Sequence, residues 1–145
     1  MYIDESGFAR DMPRTHGYAP VGERCSGRHD WNAKGRINVI GALLKNELLN
    51  VNLIDGSIDA DVFYAWISRE LLPELPESSV VVMDNAAFHK RDDIREIITS
   101  WGHKLEFLPP YSPDLNPIEH KWAQAKALRK KQRCSVEELF QQNRL

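Results

Sequence analysis

The sequence predicts an α/β domain, a mixed sheet with helices on its faces. Apolar β-type runs at 36–44, 48–54, 80–83 and 104–108 alternate with amphipathic stretches at 59–72, 92–100 and 117–131, the order a layered α/β domain requires. Val80–Met83 is apolar on both faces, the pattern of a strand covered on two sides. The 145 residues, 42% hydrophobic and 28% charged, are enough for one globular domain with its own core.

Tyr2-Ile3-Asp4 reads as a short apolar strand that ends on a carboxylate. Residues 9–35 are rich in Gly, Arg and Pro and predict turns with a short hairpin. Arg36–Leu44 and Leu48–Ile54 are joined by Lys45-Asn46-Glu47 as a second hairpin. Asp59 caps a helix whose Val62, Phe63, Trp66, Ile67 and Leu71 share one face; Pro73 and Pro76 end it. Asp92–Ser100 is a short helix with Ile94, Ile97 and Ile98 inward, and Lys104–Leu108 is a strand. The long helix from Pro117 to about Lys131 buries Ile118, Trp122, Ala125 and Leu128. A last helix starts at Ser135, which forms a capping box with Glu138.

No apolar run approaches the ~20 residues of a membrane span, and Met1 opens on a strand and not on a signal peptide. A cytoplasmic protein is expected, its two cysteines, Cys25 and Cys134, being reduced thiols too far apart for a CxxC site. There is no GxSxG, Walker-type loop or GxGxxG, so nucleophilic-serine, P-loop and dinucleotide chemistry are set aside.

The chemistry-bearing features are three acids on separate elements. Asp84 follows four buried-type residues, where an unpaired charge is costly, and it falls at the carboxyl end of a strand, where open α/β sheets hold ligands. Its structural competitor is an Asp that caps the turn at Asp84-Asn85. Glu119 follows Asp84 with 34 residues between them, delivered by the rigid loop Pro109–Pro117. Asn116 and Glu119 also fit a capping box, in which Glu119 would only satisfy the Asn116 amide. The same first-turn position favours an ionised carboxylate, as a metal ligand must be. Asp4 is followed by Glu5, and strand alternation lets only one of them face a site; Asp4 is the better candidate because it repeats the strand-then-Asp pattern of residue 84.

Hard oxygen donors without clustered His or Cys favour Mg²⁺ or Mn²⁺ over zinc. Two such ions about 3.5–4 Å apart can clamp the attacking and leaving oxygens of an in-line phosphoryl displacement. Among the histidines, His16, His29 and His103 show no ligand spacing, while His89 and His120 suit supporting or structural roles. The net charge is only −2, yet Lys121, Lys126, Arg129, Lys130, Lys131 and Arg133 form a basic run without an acid, which suits phosphate contact or a solvated face equally. Ala123, Lys126 and Lys130 continue the Glu119 face.

Asp-Glu-Ser-Gly-Phe (4–8), Met-Asp-Asn-Ala-Ala-Phe-His (83–89) and Leu-Pro-Pro-Tyr-Ser-Pro-Asp-Leu-Asn-Pro-Ile-Glu-His-Lys-Trp (108–122) resemble the three catalytic motifs of DDE transposases of the Tc/mariner superfamily, most closely the bacterial insertion sequence 630 branch. Gly17–Gly22 resembles that family's loop after the first strand, with Tyr18 where Trp is usual. The resemblance implies a ribonuclease H-like fold over 1–145. In it, Asp4, Asp84 and Glu119 bind two Mg²⁺ or Mn²⁺, with Asn85, His89 and Asn116 supporting them. It implies nicking of double-stranded DNA at transposon ends and joining of the 3′-hydroxyl to target DNA at TA, by a homodimer at the bacterial nucleoid.

The family's N-terminal helix-turn-helix is not present, so a separately encoded half is expected, and the first strand is expected to be truncated at Met1. A remnant that only binds DNA or dimerises is the alternative. An unrelated metal-dependent α/β phosphatase is a third reading, which leaves the 111–119 loop unexplained.

Overall fold

The computed structural model describes residues 1–9, 35–110 and 112–145. The expected turns and hairpin of 9–35, with Cys25, His16, His29 and the Gly17–Gly22 loop, lie outside the described residues but for the ends of that stretch, as does Tyr111.

Five strands form one mixed sheet in the order β3-β2-β1-β4-β5. β1 (Tyr2–Ala9), β2 (Arg36–Leu44) and β3 (Glu47–Asp55) are antiparallel neighbours. β4 (Val80–Met83) runs parallel to β1, and β5 (Lys104–Phe107) parallel to β4. β1 corrects one expectation. It does not stop at Asp4 but continues through Glu5-Ser6-Gly7, pairing with β2 from Tyr2↔Leu43 to Ala9↔Arg36. The polar residues hide a strand whose backbone is paired along its length. Asp4 is therefore its third residue, held across from Gly41, and the edge toward β4 is secured by Val82 N–H donating to the Met1 carbonyl at 2.8 Å.

Alternation along the strands sorts the core into two layers. Ile3, Ile40, Ala42, Val81 and Met83 face Phe63, Trp66, Ile67 and Leu71, together with Ile94 and Ile98 of α2 (Asp92–Ser100). Phe8, Ile37, Val39 and Leu43 face the other way, onto Ile118, Trp122 and Ala125 of α3 (Ile118–Gln132) and Val136 and Leu139 of α4 (Val136–Gln142). α1 (Ala60–Trp66) begins as expected, the Asp59 carboxylate accepting from Val62 N–H at 2.9 Å. It then widens into a π turn at Ile67–Leu71 and ends in a 3₁₀ turn at Leu72–Glu74, because Pro73 cannot supply the amide that a continued α-helix would need. Ser135 accepts from Glu138 N–H at 3.1 Å, the cap expected for α4. No helix among the described residues is long and apolar enough to cross a membrane.

Arg129 is the second correction. It belongs to the buried stripe Ile118, Trp122, Ala125, Arg129 and is 3% exposed. Its Nε donates to the Cys134 carbonyl at 2.9 Å and its guanidinium also donates to the Ala9 carbonyl, tying the end of α3 to the end of β1. It is thereby removed from the set that can touch DNA. Arg129→Ala is expected to cost about 2–3 kcal/mol in urea unfolding, since it strands buried carbonyls and opens a cavity. An unchanged midpoint would refute that role.

Candidate active site

The parallel β1–β4 register pairs Tyr2 with Val82, so two residues further on Asp4 and Asp84 lie side by side at one end of the sheet. The chain after β5 crosses above that end, its first amide, Leu108 N–H, donating to the Met83 carbonyl at 2.8 Å. Prolines 109, 110 and 113 stiffen it. A 3₁₀ turn at Pro113–Leu115 then leads into α3.

At this entry the capping-box alternative for Glu119 fails. Asn116 N–H is already given to the Pro113 carbonyl at 3.1 Å, while the buried Asn116 side chain accepts from Ile118 N–H at 3.3 Å. Asn116 thus supports the helix start, and the Glu119 carboxylate is left for other partners. It is near enough to Asp4 to raise the Asp4 carboxyl, but it stands outside the group of Asp4, Glu5 and Asp84 whose ligand oxygens lie within 4.8 Å of one another.

Asp4 is 5% exposed, and the Trp122 indole Nε1 donates to its Oδ2 at 3.3 Å. Burial, then the hydrogen-bonded Glu119 carboxyl, then the nearby Glu5 charge push the Asp4 carboxyl up to about 9. Two carboxyls can share a hydrogen bond only if one keeps its proton, so without a cation Asp4 is held neutral.

Asp84 has the opposite environment. Its Oδ1 lies 2.8 Å from His89 Nδ1, which holds the carboxyl below the usual range against the opposing effect of burial. It also accepts from Ala86 N–H at 3.1 Å, so the turn-capping role weighed from sequence is present as well.

His89 does not line the cleft. It is fully buried, its ring 4.5 Å from that of Phe63. Its Nε2 sits 2.8 Å from Glu5 Oε1. With a carboxylate on each nitrogen the ring is an imidazolium; burial pulls it down, but the hydrogen bonds to Asp84 and Glu5 prevail and raise it to about 10. Sequence reasoning missed this Glu5–His89–Asp84 bridge. Strand alternation does send Glu5 to the α1 side, yet a ligand oxygen of Glu5 still comes within 4.8 Å of those of Asp4 and Asp84.

Asp84, Asn85, Leu108, Pro109, Asn116 and Glu119 are among the residues lining a cleft of about 360 Å³. Among the described residues, the Oδ1 of Asn85 is buried without a hydrogen-bond partner. His120 is exposed and apart from this cluster. Beyond Glu119 along α3, Ala123, Lys126 and Lys130 are exposed as expected, as is Lys131; Lys121 and Arg133 are half-buried. The Lys126 ammonium rests 5.2 Å from the centre of the Phe8 ring.

The pattern of DDE superfamily endonucleases matches residues 1–139. The chain belongs to that family. No curated protein sequence matches it significantly. Among solved structures, the Mos1 strand transfer complex superposes on this DDE domain with a TM-score of 0.71 at 17% identity, covering 97% of this chain and 44% of that one. The mariner Mos1 paired end complex with Mg gives 0.70 at 18% identity, over 97% and 45%. The Mos1 transposase catalytic domain with Raltegravir and Mg gives 0.65 at 16% identity, over 97% and 67%. At these identities the likeness carries the fold, which is ribonuclease H-like. The DDE domain spans less than half the length of the chains in the Mos1 complexes.

The opposed carboxyls make stability depend on pH. Asp4 is raised above its unfolded value, so its contribution is full below about 4 and is lost as pH rises toward 9. His89 acts in the same sense between its ordinary value of 6.5 and about 10. The lowered Asp84 contributes above its ordinary value of 3.8 and is lost on acidification. Stability without metal is therefore expected to fall steadily from pH 6.5 to 9 in urea unfolding. A rise over that interval would contradict the assignment.

Proposed function

We propose that this DDE domain is the catalytic part of a transposase that cuts double-stranded DNA with divalent cations held by Asp4, Asp84 and Glu119. The observation that carries the reading is the convergence of these acids from β1, β4 and α3, with Asp4 so crowded that it keeps a proton when no cation is bound. The donors suit a hard dication: every ligand atom is oxygen, ligand oxygens of Asp4, Glu5 and Asp84 lie within 4.8 Å of one another, Glu119 lines the cleft beside Asp84, and Asn85 offers there an acceptor without a partner among the described residues. Two Mg²⁺ or Mn²⁺ fit the chemistry, and when bound they neutralise the scissile phosphate and favour ionisation of the attacking hydroxyl.

The chain's own residues do the rest. Asp84, fixed by His89, and Asp4, fixed by β2 and Trp122, form the floor. Glu119, set by the proline loop, closes the cleft from α3 in an orientation the strands do not have to supply. Lys126, Lys130 and Lys131 lie exposed further along α3 and meet backbone phosphates leading away from the cut.

The full reaction we infer is cleavage at transposon ends followed by attack of the freed 3′-hydroxyl on target DNA, at TA. It would be carried out by a homodimer at the bacterial nucleoid, with end recognition supplied by a helix-turn-helix part. Among such enzymes we place it in the insertion sequence 630 branch. The Mos1 structures of similar fold include a strand transfer complex and paired-end complexes, which supports this direction.

The test is nicking of supercoiled DNA by the purified chain. Mn²⁺ should support nicking and EDTA should stop it; equal nicking in EDTA, or none with Mn²⁺ on a DNA carrying the element's ends and the end-binding part, would overturn the proposal. Lys126→Ala and Lys130→Ala should weaken DNA binding evenly across sequences and lower the salt slope by about 1 each. Unaltered slopes would place the DNA on another face.

A further inference from the structure

We propose that Trp122 is a positioning residue that aims the Asp4 carboxylate at the cleft from the same helix that carries Glu119; this rests on Asp4 being a cation ligand, as proposed above. The contact joins residues 118 positions apart: Trp122 Nε1 donates to Asp4 Oδ2 at 3.3 Å, both residues being buried. One oxygen of Asp4 is thereby held by the indole.

The strand opposite is shaped to admit the indole. Gly41 is the β2 partner of Asp4, and a Cβ at that position would lie 2.9 Å from Trp122 Cη2 and 3.2 Å from the Asn50 carbonyl oxygen. Any side chain there would push the indole off its place. Phe8 closes the slot from the side, its ring edge-on to Trp122 with centroids 6.4 Å apart. The indole therefore has little freedom, and its N–H is directed by packing on both sides.

Trp122 follows Glu119 by three residues, about one helical turn, so the two side chains neighbour each other on α3. One rigid element thus presents Glu119 directly and Asp4 through the indole. The orientation of the Asp4 carboxyl on β1 is thereby tied to the helix that carries Glu119.

The test measures Mg²⁺ binding by the full chain, with folding followed separately by thermal melting. Asp4→Asn should abolish most of the binding; if it binds Mg²⁺ like the wild type, the ligand assignment fails and the positioning role with it. Given that loss, Trp122→Phe and Gly41→Ala should each fold and bind Mg²⁺ about 10-fold more weakly, the usual effect of removing a residue that orients a ligand. Wild-type affinity in both variants would overturn the positioning role while leaving Asp4 a ligand.

Should either variant fail to fold, the wild-type chain decides. It has four tryptophans, so four indole N–H resonances are available to a ¹⁵N NMR titration. The Trp122 signal should move with Mg²⁺ while that of Trp101, 49% exposed and on the α2–β5 turn, stays in place. A Trp122 resonance unmoved at saturating Mg²⁺ would overturn the proposal.

Discussion

Asp4→Asn, Asp84→Asn and Glu119→Gln are each expected to cut cation-dependent DNA nicking by about 10³-fold or more, because each removes a ligand charge while keeping the side-chain shape. Their effects on folding should differ, and that difference tests the electrostatics of the site. Asp4 is held neutral without metal by burial and by the Glu119 carboxyl. Asn imitates that neutral state, so Asp4→Asn should melt no lower than wild type and should lose the pH dependence that Asp4 imposes above neutrality. Asp84 instead depends on its charge to pair with His89 at 2.8 Å. Asp84→Asn should therefore be destabilised as well as inactive. Inactive variants with the reverse order of stability would mean that the charges are distributed otherwise.

His89→Ala is expected to be the most destabilising single change at the site, about 3 kcal/mol or more in urea unfolding. Removing one partner of a buried charged group leaves the others uncompensated. Here two carboxylates, Glu5 and Asp84, would lose the cation between them, and Phe63 would lose the ring packed on it. The void adds to the loss. If His89 merely lined the cleft, Ala would cost less than 1 kcal/mol. That outcome would dismiss the bridge.

Much of this was legible in the chain because short-range patterns carried it. Val80–Met83 followed by Asp84 and the cap at Asp59 each depend on neighbours within a few residues, and the structure forms the strand and the cap, although Val80 is 43% exposed and β4 is fully covered only on the Val81–Met83 face. The failures share a cause, which is partners far apart in sequence. Glu5 and His89 are 84 positions apart, and only the β1–β4 pairing brings them together. β1 looked shorter than it is because Glu5-Ser6-Gly7 is poor strand material by composition, yet its amides and carbonyls are taken by β2.

Arg129 was grouped with its basic neighbours although it stands four residues after Ala125 and seven after Trp122, on the buried stripe. That periodicity was present to be read. What could not be read were the carbonyls of Ala9 and Cys134 that make the burial affordable. The capping box at Asn116–Glu119 failed for a local reason: the 3₁₀ turn at Pro113–Leu115 had already used the Asn116 amide.

The central claim is that Asp4, Asp84 and Glu119 hold a cation together. Crystals of the chain grown with Mn²⁺, examined by anomalous diffraction, test it most directly. The prediction is a Mn²⁺ peak in the cleft with carboxylate oxygens of Asp4, Asp84 and Glu119 at coordination distance, roughly 2.0–2.2 Å. An empty cleft at saturating Mn²⁺, or an ion held by Asp4, Glu5 and Asp84 with Glu119 turned away, would contradict it.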